Sequence, residues 1–208
     1  MKLTDMQVKE FMSVLGSDEP APGGGSASAL AGSMGISLTK MVTELTMGKK
    51  KYAEYDQLAQ DTQKEAARLQ ENLLQAIDKD TEAFNVVSAV FSMPKSTPEE
   101  KAARSAALQK ALQGAAESPY EMMETCLEAL RVTNKVVGKS NTNAASDLGV
   151  AALNLKSALQ GAWLNVLINL SGIKDEAFVE KYRQDGTAVL NEGCQLADDI
   201  YNKILEIV

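Results

Sequence analysis

Histidine is absent from this 208-residue chain. That absence removes imidazole acid/base chemistry, Ser-His-Asp triads and His-ligated metal sites together. Cysteine occurs twice, at Cys126 and Cys194, far apart and outside any Cys-x-x-Cys spacing. A disulfide framework or a zinc site is therefore not expected, and a reducing cytoplasm fits. Long apolar runs are missing too. Ala162 to Leu170 is interrupted by asparagine and is too short to span a bilayer, and the opening MKLTDMQVKE has no apolar signal core. Lys and Arg number 21 against 28 Asp and Glu, a formal charge of -7, which argues against nucleic acid or an anionic membrane as partner. Strand alternation and hairpin signals are lacking throughout. Any catalysis must rest on carboxylates, lysines, amides, hydroxyls or the backbone.

What is present reads as helix almost everywhere. Thr4 with Gln7 has capping-box spacing ahead of Val8, Phe11, Met12 and Leu15, and Gly16 stops that helix. A second helix is expected from Ser26 to about Met47, with Gly48 as its C-cap. A long third helix runs from about Tyr55 to Ser92 and is closed by Pro94 and Pro98. Thr97, Pro98 and Glu100 then cap a fourth, to about Glu117. Ser118, Pro119 and Glu121 repeat the device and predict a fifth, ending near Gly138. A sixth is expected from Ser146 to Leu170 and a last one from Asp175 to Ile207. The expectation is a single domain over residues 1–208: an all-α bundle of about seven helices with one long central helix.

Three features carry chemistry. The first is Gly23, Gly24 and Gly25, followed by Ser26 and a helix whose residues are unusually small: Ala27, Ala29, Ala31, Gly32 and Gly35. Consecutive glycines are costly to order, and they belong where the backbone turns sharply or approaches another group. Here they lead into a helix start, whose free N–H groups favour an anion or carbonyl oxygen. No Gly-Lys-Ser/Thr follows, so this is not a P-loop. A flexible linker is the competing reading.

The second feature is Asp80. The apolar stripe Leu69, Leu73, Ile77, Phe84, Val87, Phe91 steps by four, four, seven, three and four, and Asp80 splits the seven. Asp78 lies roughly 200° round the helix and faces elsewhere. A buried carboxylate has a raised pKa and is a candidate general acid/base. A structural ion pair, to Lys40 or Lys101, is the alternative. The third feature is a polar and small face on the sixth helix: Asp147, Ala151, Asn154, Ala158, Gly161, Asn165 and, near its end, Asn169. Amides in place of Lys and Glu predict a polar cleft or close interface rather than a solvent face. The basic cluster Lys49, Lys50, Lys51 reads as a solvated helix end or as a clamp for an anionic ligand tail.

These pieces in order, APGGGSASALAGSMGISLTKMV, GKKKY, DKDTEAF, MPKSTPEEKAAR, SNTNAASDLGVAA and GAWLNVLINL, resemble the cyclodeaminase/cyclohydrolase family across nearly the whole chain. One departure is Ser140-Asn141, where family members usually have Gly-Asn. The resemblance implies an all-helical homodimer with a folate-binding cleft, working on the one-carbon unit between N5 and N10 of tetrahydrofolate without a metal or other cofactor. It maps the family's Asp-x-x-Ala-Phe aspartate onto Asp80 as the catalytic residue. Gly23, Gly24, Gly25, Ser26, Asn141, Asp147, Asn165 and Asn169 would bind substrate, and Lys49 and Lys50 would hold a glutamate or polyglutamate tail. Cyclodeaminase and cyclohydrolase activities are not separated by these motifs. A folate-binding module without turnover, or a structural helical dimer, is the alternative.

Overall fold

The computed structural model describes residues 2–208; Met1, where the expected domain begins, lies outside the described residues. Six α-helices and three short 3-10 turns account for the fold, with no strand among the described residues. The helices are α1 (Val8–Leu15), α2 (Gly24–Glu44), α3 (Asp56–Phe91), α4 (Pro98–Val136), α5 (Ala145–Leu170) and α6 (Glu176–Leu205). Helix α2 lies at the centre, packed between α3 and α5. Its small residues explain this position. A Cβ on Gly35 would lie 2.8 Å from Leu155 Cγ and 2.9 Å from the Ala151 carbonyl oxygen. A Cβ on Gly32 would press on Leu73, Ala158 and Cys126. Gly161 of α5 likewise faces Ser28, and Gly24 faces Asn165. These pairs set α2 and α5 antiparallel at close range.

The apolar core follows the expected spacing. Leu69, Leu73 and Ile77 of α3, Leu155, Leu159 and Val166 of α5, and Met123 and Leu130 of α4 are fully or nearly fully buried. Below Asp80 the α3 stripe changes character: Phe84 and Phe91 are 41% and 61% exposed. This half of α3 runs beyond the start of α2, and in it only Val90 is buried.

Of two expected capping boxes, one forms and one does not. Thr4 does not cap α1. It sits in a 3-10 turn (Leu3–Asp5) and its hydroxyl donates to Asp78 Oδ2 at 2.9 Å, while the Leu3 N–H donates to Oδ1 at 2.6 Å. Gln7 is the N-cap, without a side-chain bond. At Thr97 the capping box forms as expected, with Glu100 N–H to Thr97 Oγ1 at 3.2 Å.

The two helices expected either side of Pro119 are one continuous helix, α4, so the count is six. Proline lacks the N–H that would bond the carbonyl four residues back, and an interior proline costs about 3 kcal/mol or more. The carbonyl left without its partner is that of Ala115. It accepts instead from Asn169 Nδ2 of α5, at 3.0 Å. A side chain from the neighbouring helix thus replaces the missing backbone donor, and α4 continues. Asn169→Ala should then cost about 1–3 kcal/mol, the range for a buried acceptor left unpaired. In a Pro119→Ala background, where a backbone N–H returns, the same change should cost clearly less. A double-mutant cycle by urea unfolding measures the difference, and additive effects would show that the two residues are not coupled.

Candidate active site

Helix α2 begins without a capping side chain, because its N-cap is Gly23. Its first-turn N–H groups therefore need acceptors from elsewhere. The Asp80 carboxylate of α3 lies against that turn. A Cβ built on Gly25 would overlap both carboxylate oxygens and the carbon between them. Gly25 is thus demanded by the chain's own aspartate. The acceptor that the helix start meets is the carboxyl of Asp80, not a ligand group.

Asp80 forms one wall of a cleft of about 310 Å³. The other walls are the Pro20–Gly25 segment, Thr81, Phe84 and Val87 of α3, Ala115 of α4, and Asn165, Ile168 and Asn169 of α5. No other titratable side chain lines it. Among the described residues no ion pair reaches Asp80, and Lys40, a candidate partner from the sequence, bonds Gln70 instead. Burial pushes the Asp80 carboxyl above the ordinary carboxylate range, against the opposing pull of the Ser26 N–H.

The two asparagines present one defined face. Asn165 Nδ2 donates to the Gly161 carbonyl at 2.8 Å, and Asn169 Nδ2 donates to the carbonyls of Ala115 and Asn165. Both N–H groups of Asn169 are thereby committed to backbone, whereas Asn165 keeps one N–H beside its amide oxygen. The cleft therefore combines two amide oxygens, one uncommitted amide N–H, an apolar aromatic side at Phe84 and a single carboxyl. That set suits a flat heterocycle carrying N–H donors and a positive charge.

The family model for formiminotransferase-cyclodeaminase matches residues 7–187. The chain belongs to this family. A methenyltetrahydrofolate cyclohydrolase from Methylorubrum extorquens is 38% identical over 197 residues, covering 95% of both chains. The formimidoyltransferase-cyclodeaminase of Rattus norvegicus is 32% identical over 91% of this chain, which spans 35% of that longer protein. Among solved structures, formiminotetrahydrofolate cyclodeaminase from Thermotoga maritima matches with a TM-score of 0.81 at 28% identity, covering 99% of this chain and 97% of that one.

Against the family motif, Gly23, Gly24, Gly25, Asp80, Asn165 and Asn169 meet in the cleft. Ser26 does not line it: the side chain is fully buried behind Asp80. Lys49, Lys50, Asn141 and Asp147 lie at the far end of the same chain. Helix α2 alone, at 21 residues, separates the two ends by about 30 Å. There Asn141 ties loops together, its N–H donating to Thr46 Oγ1 and its Nδ2 to the Leu45 carbonyl. The Tyr52 phenol beside it is drawn down to about 8 by bonds from the Thr142 hydroxyl and N–H and by neighbouring Lys51. Thr81, Ala115 and Ile168 were not visible as site residues in the sequence. Thr81 directly follows Asp80 and Ile168 lies three residues after Asn165, whereas Ala115, on α4, carries no signal in the sequence.

The raised Asp80 pKa has a stability consequence with a definite sign. The folded chain holds this proton more tightly than the unfolded chain. The contribution is therefore fully present below the ordinary aspartate pKa and is lost as pH rises through the raised one. Asp80→Asn removes that loss. Its melting temperature should exceed the parent's at pH 7, and the gap should close toward pH 4. A gap of the same size at both pH values would show that Asp80 does not titrate abnormally.

Proposed function

We propose that this chain is a tetrahydrofolate enzyme that makes or opens the bridge between N5 and N10, as a methenyltetrahydrofolate cyclohydrolase or a formimidoyltetrahydrofolate cyclodeaminase. The observation that carries the reading is the solitary Asp80 in an otherwise uncharged cleft. Both reactions pass through a tetrahedral carbon and involve a cationic amidine. In the hydrolytic direction Asp80 takes a proton from water as its oxygen bonds to the methenyl carbon. It returns the proton to the departing nitrogen as the C–N bond breaks. The new hydroxyl then loses its proton to give the formyl group. In cyclodeamination Asp80 takes the N10 proton as N10 bonds the formimino carbon, then gives it to the nitrogen that leaves as ammonia. A carboxylate also stabilises the cation by charge, and in a site without competing ions this effect is large. The amide oxygens of Asn165 and Asn169 accept from the pterin N–H groups, and Phe84 covers one face. The chemistry uses protein groups and water alone. Two unpaired cysteines, Cys126 and Cys194, suit a reducing cytoplasm.

Asp80→Asn keeps the shape and removes the ionisable group. Turnover on one of the two folates should fall by about 10²–10⁴-fold, the usual range for general acid/base work. Asp78→Asn, whose side chain serves the Leu3–Asp5 turn, should keep near-parental turnover. Assaying both substrates with both variants decides the reaction as well, and full activity in Asp80→Asn would remove the mechanism.

A homodimer is part of this reading, and the surface that supports it runs along α2 and α5. Met34, Met41, Leu45, Val150, Leu153, Leu164 and Ile168 are all exposed there. Three of the four charged side chains of these helices turn aside, Lys40 and Glu44 to Gln70 and Gln63 of α3 and Lys156 to Asp198 of α6, and the fourth, Asp147, stands in the first turn of α5. An uncharged strip of this length fits a second copy of itself, because a two-fold pairing buries the same patch on both sides. With the two α2 helices antiparallel across the axis, the Lys49–Lys50 end of one protomer falls over the Asp80 cleft of the other. That end then receives the glutamate or polyglutamate tail. Leu153→Glu should yield monomers by light scattering and depress turnover with them. Lys50→Ala should weaken a polyglutamylated folate more than the monoglutamate. Monomeric parent protein at assay concentration, or equal losses for both folates, would overturn this assembly.

A further inference from the structure

Ser26 is fully buried at the third position of α2 and touches three polar groups. Its Oγ lies 2.8 Å from the Ile77 carbonyl oxygen, 3.2 Å from Thr81 Oγ1 and 3.3 Å from Asp80 Oδ2. A hydroxyl has one proton and two lone pairs. The Ile77 carbonyl can only accept, and it makes the shortest of the three contacts, so it takes the proton. Both remaining contacts then meet lone pairs. Thr81 satisfies one by turning its own O–H inward. Asp80 Oδ2 satisfies the other only if it carries a hydrogen. An ionised oxygen at that place would face a lone pair at close range in a part-buried site.

We infer that Ser26 is a positioning residue that holds Asp80 in the empty cleft as a neutral acid, with its proton on Oδ2. This rests on the proposed function only in taking Asp80 as the group that moves the proton. The surroundings agree. The segments facing the carboxyl are residues 20–25, Thr81 to Val87 on the lining face of α3, Ala115 of α4, and Asn165 to Asn169 of α5. Asp80 is the one titratable group on that lining. The Ser26 N–H favours the anion, and burial outweighs it. A cationic one-carbon unit entering the cleft supplies the missing counter-charge. Asp80 then ionises, its proton passes to solvent, and the carboxylate is free to take the proton of the attacking group.

The test needs no substrate. Aspartate labelled at Cγ is followed by NMR through a pH titration of the full chain, with Asp80 assigned by its disappearance in Asp80→Asn. Ser26→Ala removes an acceptor from the acid form, so the Asp80 midpoint should fall by roughly half to one pH unit, as expected for one neutral hydrogen bond. A rise would mean that the hydroxyl donates to the carboxylate, and an unchanged midpoint would mean that Ser26 only fills space. Either result overturns the inference. Ser26→Cys, whose sulfur is a weak acceptor of similar shape, should shift the midpoint the same way. If neither variant folds, Ser26 belongs to the core alone and the inference also falls. Because the readout is a protonation equilibrium, its failure is distinct from any failure of Asp80 to support turnover.

Discussion

The carboxyl of Asp80 pressed against the first turn of α2 is the contact on which the rest of the site depends. A helix start carries free N–H groups and a partial positive charge, and a residue such as Gly23 offers no side chain to meet them. The acceptor comes from another helix. For it to arrive, Gly25 must have no Cβ, and α2 must lie deep between α3 and α5. Gly32, Gly35 and Gly161 make that depth attainable. The glycines therefore serve two ends of one requirement: some admit the carboxyl, and others admit the helix that the carboxyl caps.

Backbone and side chain exchange roles elsewhere in the cleft as well. Pro119 takes a donor out of α4 and Asn169 of α5 puts one back at Ala115. The same amide thereby loses its freedom to donate and keeps only an oxygen for the cleft. Asn165 spends one of its two amide N–H groups on the Gly161 carbonyl. The walls thus hold amide groups and one acid, with no built-in cation. A site of this kind is poorly neutralised when empty and well neutralised when a cation enters. That is the electrostatic logic of stabilising a charge carried by the substrate rather than by the protein.

The chain also has two chemically distinct ends. One holds the acid and the amide oxygens. The other holds three lysines and a phenol whose pKa is drawn down to about 8. Between them runs a strip of exposed apolar side chains on α2 and α5.

Much of this was legible in the residues. Spacing in three and four placed the buried halves of α3 and α5, Thr97 and Glu100 marked the start of α4, and the interrupted stripe singled out Asp80. Pattern alone misread Ser118-Pro119-Glu121, which has the spacing of a helix start, because the rescuing amide lies 50 residues on in another helix. It misread Thr4 for the same reason: its partner, Asp78, is distant in sequence. The exposure of Met34, Met41 and Leu45 could not be read from it, since periodicity shows that a face is apolar but not what covers it. Local chemistry, helix content and the identity of the acid were determined by the sequence itself, because each depends on neighbours within a turn or two. Which oxygen Ser26 donates to, which carbonyl Asn169 satisfies, and which candidate residues share a cleft rather than lie about 30 Å apart were decided only by tertiary packing, because hydrogen bonds and electrostatics depend on through-space distances that sequence separation does not encode.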